Sequence, residues 1–443
     1  MGRKTILGLI FIIILAIAGV LYFYFFQTPT NTTTSAPGFF KSIFPFGSNA
    51  TPSTNNTDSP LLIGNTQTGD NNIQKQLPRL RHYTTEPTAG DIITEKDKDV
   101  IQDRVKTTIK ETSIRYIDRA TGHIYDIPTN VEDPIKISNT TVPKIYEATF
   151  TPGGDSLITR FLDASDNIIT YAITLKDKKP VVATTSVKIS TTTATVAQTA
   201  DTSTRFKDVT GTYLARNIQE IAMSPSGKKI LDLTYGTDNG ILAILDNAYK
   251  SRTILTSPLQ EWLLSLPTET KAVITTKPSG ITYGYSYIVN TDTGAMSKLI
   301  GNILGLTLLP SYDLSTFLVG EASATLKLSV LSNKDSSLND LSVKTLPEKC
   351  VWANTTVDTV YCAVPKAIPA AVYPDDWYKG RLFFNDSLWK INLKTGETNL
   401  ISNLSQESGQ AIDAITLEVS PTDKYLTFIN KRDLTLWGID LTK

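Results

Sequence analysis

The side chains best able to do chemistry in this chain stand together in residues 369–380, where Tyr373, Asp375, Asp376, Trp377 and Tyr378 follow Pro369 and surround Pro374. Aromatic rings offer large contact area at low entropic cost, and adjacent carboxylates accept hydrogen bonds. A proline-braced loop of this make-up suits capture of a sugar or a peptide. Two other readings stand beside that one. Trp377 and Tyr378 fold back as a cap, or Asp375 and Asp376 serve as the acid and base of glycoside cleavage. The last needs opposed carboxylates at a defined separation, whereas neighbours along an extended chain point apart.

Nucleophilic and metal chemistry are poorly provided for. Gly284-Tyr285-Ser286-Tyr287-Ile288 approaches the Gly-x-Ser-x-Gly elbow but lacks its closing glycine and lies in a strand-like run. The only imidazoles are His82 and His123, both at the start of the strand-rich part, so each is read as a surface or strand residue and not as part of a triad. Two His and two Cys are too few for a His-rich or Cys-ligated metal site. No catalytic residue, metal or cofactor is expected, and the chain reads as a non-enzyme. Its 43 basic and 43 acidic side chains cancel, which removes the positive field that nucleic-acid binding requires.

Cys350 and Cys362 flank a hairpin whose turn, centred near Thr356, sets Cys350 opposite Cys362 and Trp352 opposite Val360. Cross-strand neighbours in a non-hydrogen-bonded pair can meet disulfide geometry. A disulfide is expected there; a register slip would leave two buried thiols instead.

The elements that must hold these residues announce themselves by repetition. An apolar-x-Pro phrase, a polar turn and a run of strand formers recur at Pro225, Pro267 and Pro310, which are 42 and 43 residues apart. Further copies stand at Pro152 and Pro421, and a degenerate one runs from Val351 to Tyr361. Each phrase predicts the turn between the first and second strands of a blade in an all-β propeller. Six phrases plus a further unit at 90–128 give seven blades, with six or eight as the alternatives. A second turn, at Gly122, Gly294 and Gly396, is read as joining third and fourth strands. Two insertions break the period: residues 176–204 between third and fourth strands, and 365–380 between second and third strands, on the opposite face. The chain stops at a third strand, Leu436 to Leu441, so residues 80–84 are expected to close the ring as the missing fourth strand.

Ahead of this β domain, residues 79–443, lie two segments of different character. Residues 6–26 form an apolar run behind Arg3 and Lys4; at about 1.5 Å per residue it reaches ~31 Å, the depth of a bilayer's hydrocarbon. Residues 1–27 thus read as a single-pass anchor, amino terminus in the cytoplasm and the rest outside it. A cleavable signal, suggested by Ala16-Ile17-Ala18, is the rival. Residues 28–78 are rich in Thr, Asn, Ser and Pro and read as a flexible tether spanning ~40 Å. Phe39, Phe40, Phe44 and Phe46 interrupt it as an apolar island, suited to the membrane interface, to a partner, or to the propeller itself.

Ser224-Pro225-Ser226-Gly227-Lys228-Lys229 and Ser420-Pro421-Thr422-Asp423-Lys424, each followed by an apolar strand, resemble the Ser-Pro-Asp-Gly-Lys repeats of TolB-like and WD-repeat-like propellers. The resemblance extends over residues 79–443 as architecture. It implies an extracytoplasmic propeller used as a binding platform, and it transfers no catalytic residue because the motif is structural. The Trp-Asp dipeptide of true WD repeats is missing here.

The expectation is therefore a membrane-tethered, extracytoplasmic propeller that binds or scaffolds an envelope or surface protein or glycan, through the 365–380 loop and the channel mouth. A carboxylate-based glycan hydrolase or lyase working in the channel is the alternative, favoured by clustered Asp or Glu at the mouth. An apolar, aromatic rim favours binding instead. A purely structural surface protein, with no concave pocket, is the third possibility.

Overall fold

The recurring proline turn is a local code. In Ser224-Pro225-Ser226-Gly227 the Ser224 hydroxyl accepts the amide of Lys229, the amide of Gly227 donates to the Ser224 carbonyl, and Gly227 takes a φ of 70°. The copy at Ser420 repeats this, with Asp423 at a φ of 55° in the glycine's place. A hydroxyl that caps the turn and one residue tolerant of left-handed backbone suffice to reverse the chain between two apolar strands.

These details come from a computed structural model, which describes residues 77–102, 105–178 and 206–443. Among the described residues there are seven antiparallel four-stranded sheets, so the protein is a seven-bladed β-propeller and nearly all β. The inner strands are Thr88–Gln102, Glu147–Phe150, Ile218–Met223, Trp262–Ser265, Thr307–Pro310, Cys350–Trp352 and Ala414–Val419, for blades one to seven in that order. Six blades run outward in chain order. The seventh takes its fourth strand from the start of the domain: Leu80–His82 pairs with Leu436–Asp440, placing Leu80 opposite Ile439 and His82 opposite Trp437. No helix among the described residues is long and apolar enough to cross a membrane; residues 6–26 and the Phe39–Phe46 island lie outside the described residues.

The core is divided as the blades are. Seven apolar clusters fill the seven gaps between neighbouring blades. Ile117 and Ile124 meet Leu157 and Ile173 between blades one and two, and Ile93 and Ile114 meet Ile429 and Leu436 across the closing seam. Buried cations add a second link. Arg115 of blade one donates to the Gly154 carbonyl at 2.6 Å, Arg160 of blade two to Ile218 O at 2.8 Å, and Lys349, ahead of blade six, to Ala414 O at 2.8 Å. Each blade is thus held chiefly by its neighbours, the nearest-neighbour logic of repeat folds.

One turn assignment is corrected. The glycine turns at Gly294 and Gly396 join third to fourth strands, but Gly122 joins the second and third strands of blade one. Locally the turns are alike: Gly122 and Gly294 have φ of 72° and 74°, and each amide bonds back four residues, to Asp118 and Asn290. The local code carries no record of which strand pair it connects. What shifts the count is the first hairpin of blade one, Thr88–Gln102 against Val105–Asp118, far longer than its counterparts. The two insertions do connect the strands expected: third to fourth in blade two, and second to third in blade six. Residues 179–205 of the first lie outside the described residues.

Candidate functional site: the two mouths of the axial channel

First-to-second and third-to-fourth connections share one face of the ring, here the turn face. Second-to-third and blade-to-blade connections share the other, the insertion face.

On the insertion face, residues 366–385 fold inward. Asp375–Tyr378 forms one helical turn. Both carboxylates expected to do chemistry are structural ligands of backbone: Asp375 accepts the amide of Gly280 from blade four at 2.8 Å, and Asp376 accepts Val372 N at 2.9 Å while pairing with Arg381. Tyr373 is 0% exposed and Trp377 4% exposed. Their rings stack on Phe384, and the Tyr373 hydroxyl donates to Pro369 O. The contact area expected of these two aromatics is therefore turned into the protein, and the loop shows solvent Val372, which lies over Gly280 of blade four.

Beneath this cap lies a charge network that sequence reasoning missed. Lys349, Asp386 and Asp413 are each 0% exposed. Lys349 Nζ stands 2.5 Å from Asp413 Oδ1 and 2.9 Å from Asp386 Oδ2. Asp413 Oδ2 accepts the Trp377 indole N–H at 2.8 Å and the Phe384 amide at 3.0 Å. Burial pushes Asp386 up to about 6 against the pull of Lys349, with Asp413 adding to the rise. Next to it, the Tyr378 hydroxyl lies 2.7 and 2.8 Å from the two oxygens of Glu348. Burial pushes Glu348 up to about 7, and does the same to Glu220, where Glu147 adds to the effect. Lys431 sits 3.6 Å from the centre of the Trp377 ring, and burial draws it down to about 8.

The turn face is open. A cavity of about 490 Å³ enters the channel there, rimmed by Phe150, Pro152, Pro225, Tyr312, Leu417 and Pro421. The prolines belong to the recurring turns, so the repeat itself builds the rim. Three polar side chains share the lining, Tyr312, Asn354 and Glu418. The Asn354 amide is engaged with the Val419 and Ser420 carbonyls, which leaves the Tyr312 hydroxyl and the Glu418 carboxyl. Burial, and then the charge of Asp91, push Glu418 up to about 8; Asp91 itself is raised by burial to about 7, with its bond from Thr427 opposing. A protonated carboxyl offers a hydrogen-bond donor inside an apolar cup. Beyond this face the long hairpin of blade one projects as a two-stranded ribbon, residues 96–102 paired with 105–111, laced by Lys98–Glu111 and Lys106–Asp99 pairs.

Other sequence candidates fall elsewhere. Cys350 and Cys362 are in register with Cα atoms 4.1 Å apart, and their sulfurs are bonded at 2.09 Å. Ser286 is 0% exposed within the strand Tyr283–Asn290 and donates to Ile274 O. His82 stacks on Trp437, while His123 bonds Thr141. Among the described residues no group of three His, Cys, Asp or Glu could hold a metal ion.

The class these features define is a seven-bladed propeller with one capped and one open channel mouth. No family model matches the chain, and no curated protein matches it. Among solved structures it is similar to an oligogalacturonate lyase from Vibrio parahaemolyticus: 8% identity, 80% of this chain, 98% of that one, TM-score 0.46. It is similar also to TolB from Acinetobacter baumannii: 11% identity, 70% and 79% coverage, TM-score 0.40. An acylaminoacyl peptidase matches at 9% identity over 80% of this chain and 52% of its own, TM-score 0.44. The fold assignment rests on the strand pairing above.

Proposed function

We propose that this protein is a binding platform, held outside the cytoplasm by residues 6–26, whose turn-face mouth takes an extended apolar segment of an envelope or surface protein. The observation that carries the reading is the rim of Phe150, Tyr312, Leu417 and three prolines around a cavity of about 490 Å³ with Glu418 in its wall. Concave, mostly apolar sites with a few convergent polar groups are the usual form of a binding pocket. Glu418, protonated, donates to a backbone carbonyl of the guest. Export is supported by the apolar run and by the Cys350–Cys362 pair, which suits an oxidising compartment.

A second reading has its own observation. Glu220 and Glu348, both raised to about 7, are carboxyls poised for proton transfer near neutrality at the insertion-face end, as a glycan hydrolase or lyase would need.

A photo-crosslinking residue placed at Tyr312, which is 52% exposed, tests the platform in source cells, with matched positions at Val372 on the other face and Leu338 on an outer strand. A protein adduct formed from position 312, and lost on Leu417→Asp, supports it. Adducts from position 372 alone, or equal labelling at all three, overturn it. Glycan cleavage abolished by Glu220→Gln or Glu348→Gln would establish the second reading instead.

A further inference from the structure

We infer that Lys349 and Asp413 condense to an intramolecular amide, cross-linking blade six to blade seven beneath the Trp377 cap.

Three features of the pocket carry the inference. The first is proximity. Lys349 Nζ lies 2.5 Å from Asp413 Oδ1, and a third contact, to Ala414 O at 2.8 Å, fixes the nitrogen beside that carboxyl group. Reacting groups locked in this way gain effective molarities of about 10⁵ M or more over free reactants.

The second is charge. One ammonium faces two carboxylates in a site that is 0% exposed, under the rings of Trp377 and Phe384, whose centres lie 5.2 and 5.3 Å from Nζ. A fully ionised triad would bury a net negative charge without water, which is strongly disfavoured. Uptake of one proton by Asp386, which burial favours, relieves it and leaves Lys349 and Asp413 as the only charges of the triad. Condensation then removes the remaining charge pair altogether. Water, which would hydrolyse the intermediate and hold the ions apart, is excluded by the cap.

The third is the arrangement of donors and acceptors around the reacting carbon. Asp413 Oδ2 receives two N–H groups, from Trp377 Nε1 at 2.8 Å and from Phe384 N at 3.0 Å. These stand where negative charge develops as nitrogen adds to a carboxyl carbon, the disposition of an oxyanion hole. Asp386 Oδ2, 2.9 Å from Nζ, is the proton carrier, and its Oδ1 is buried with no partner.

The step balances without a redox partner. Lys349 passes one proton to Asp413 Oδ1 across their 2.5 Å contact, and the amine so freed attacks Cγ, forming the C–N bond. Asp386 delivers its proton to Oδ1 and takes one from the nitrogen in return. The C–Oδ1 bond breaks, and Oδ1 leaves as water with its own proton and the delivered one. Relative to the ion pair, one carboxylate and one ammonium become one amide and one water.

The test is peptide mapping of the full-length chain after disulfide reduction, followed by fragmentation. The expected result is a branched tryptic species joining the Lys349 and Asp413 peptides, one water lighter than their sum. Asp386→Ala, folded by circular dichroism, should leave the two peptides unlinked. Wild-type protein in which both peptides run separately at full mass overturns the inference, and so does a water loss confined to the Asp413 peptide, which marks an internal succinimide. An Asp386→Ala variant that links as completely as wild type overturns the role given to Asp386. The wild-type measurement decides the cross-link even if no variant folds.

Discussion

His82 lies flat against Trp437, ring centroids 4.1 Å apart and planes 11° from parallel. One belongs to the first described strand and the other to the last, so a single stacked pair marks where the ring is sewn shut. Arg79 reinforces the seam by donating to Ile401 O at 2.9 Å, and Thr84 by accepting Leu436 N at 2.9 Å. Deleting residues 79–86 should unfold the whole domain in one cooperative transition, since it opens the gap between blades seven and one and exposes an edge strand. An unchanged calorimetric melt would exclude that role for the seam.

His82→Ala should be milder, costing about 1 kcal/mol for the lost stacking. The imidazole is also a weak acid sensor. Burial lowers its pKa in the folded state, against the opposing pull of Asp433. Its contribution to stability is therefore present above its ordinary value of 6.5 and is lost as pH falls through the lower folded value. Chemical denaturation at pH 7.5 and pH 5 should show a larger loss for wild type than for His82→Phe.

The opposite sign is expected in the channel. Glu418 rises from its ordinary 4.5 to about 8 on folding, so the folded state holds a proton that the unfolded chain releases. Stability from this group is complete below about pH 4.5 and is lost as pH climbs through about 8. Glu418→Gln should remove the loss, making the variant more stable than wild type at pH 8.5 by on the order of 1–2 kcal/mol, a figure discounted because the side chain is only partly buried. Identical denaturation profiles for the two proteins across pH 5 to 8.5 would show that Glu418 is ionised throughout.

The cap can be probed by one atom. Trp377→Phe keeps an aromatic ring over Lys349 but deletes the N–H that Asp413 Oδ2 accepts. Leaving that buried acceptor short of a donor should cost about 1–3 kcal/mol. Trp377→Ala should cost about 3–5 kcal/mol, since it adds a cavity. If both variants melt as wild type does, residues 366–385 are dispensable to the fold.

Alkylation without reduction should label neither Cys350 nor Cys362, because the pair closes a hairpin inside blade six. Replacing both by Ala should lower stability by about 3 kcal/mol, the scale for a short closed loop. Labelling of both thiols in unreduced protein would rule the bridge out.

Blade count, ring closure and the strands joined by each insertion were legible because they are written in short-range signals: proline at one period, and a chain ending one strand short. The ribbon of blade one was not, although β-branched runs on both sides of residues 103–104 could have marked it. It carries no proline phrase, and the glycine turn after it looks like all the others. The buried triad was invisible for a different reason. Asp386 and Asp413 stand well apart from Lys349 in sequence, and no periodicity links them; only the ring geometry brings the start of blade six against the start of blade seven. The loop chemistry was legible as composition but not as orientation. Tyr373 and Trp377 face inward because Phe384 and Asp413 lie there to receive them.

The closing strand is also the mechanical inlet of the domain. Any force carried along the chain from ahead of residue 77 arrives first at Arg79 and at Leu77, whose carbonyl accepts the Lys443 ammonium at 3.2 Å, and then at three paired residues. No other strand meets that load until these let go. The ring would then fail as a belt fails at its buckle, with six blades still paired and the seventh opened toward whatever is pulling.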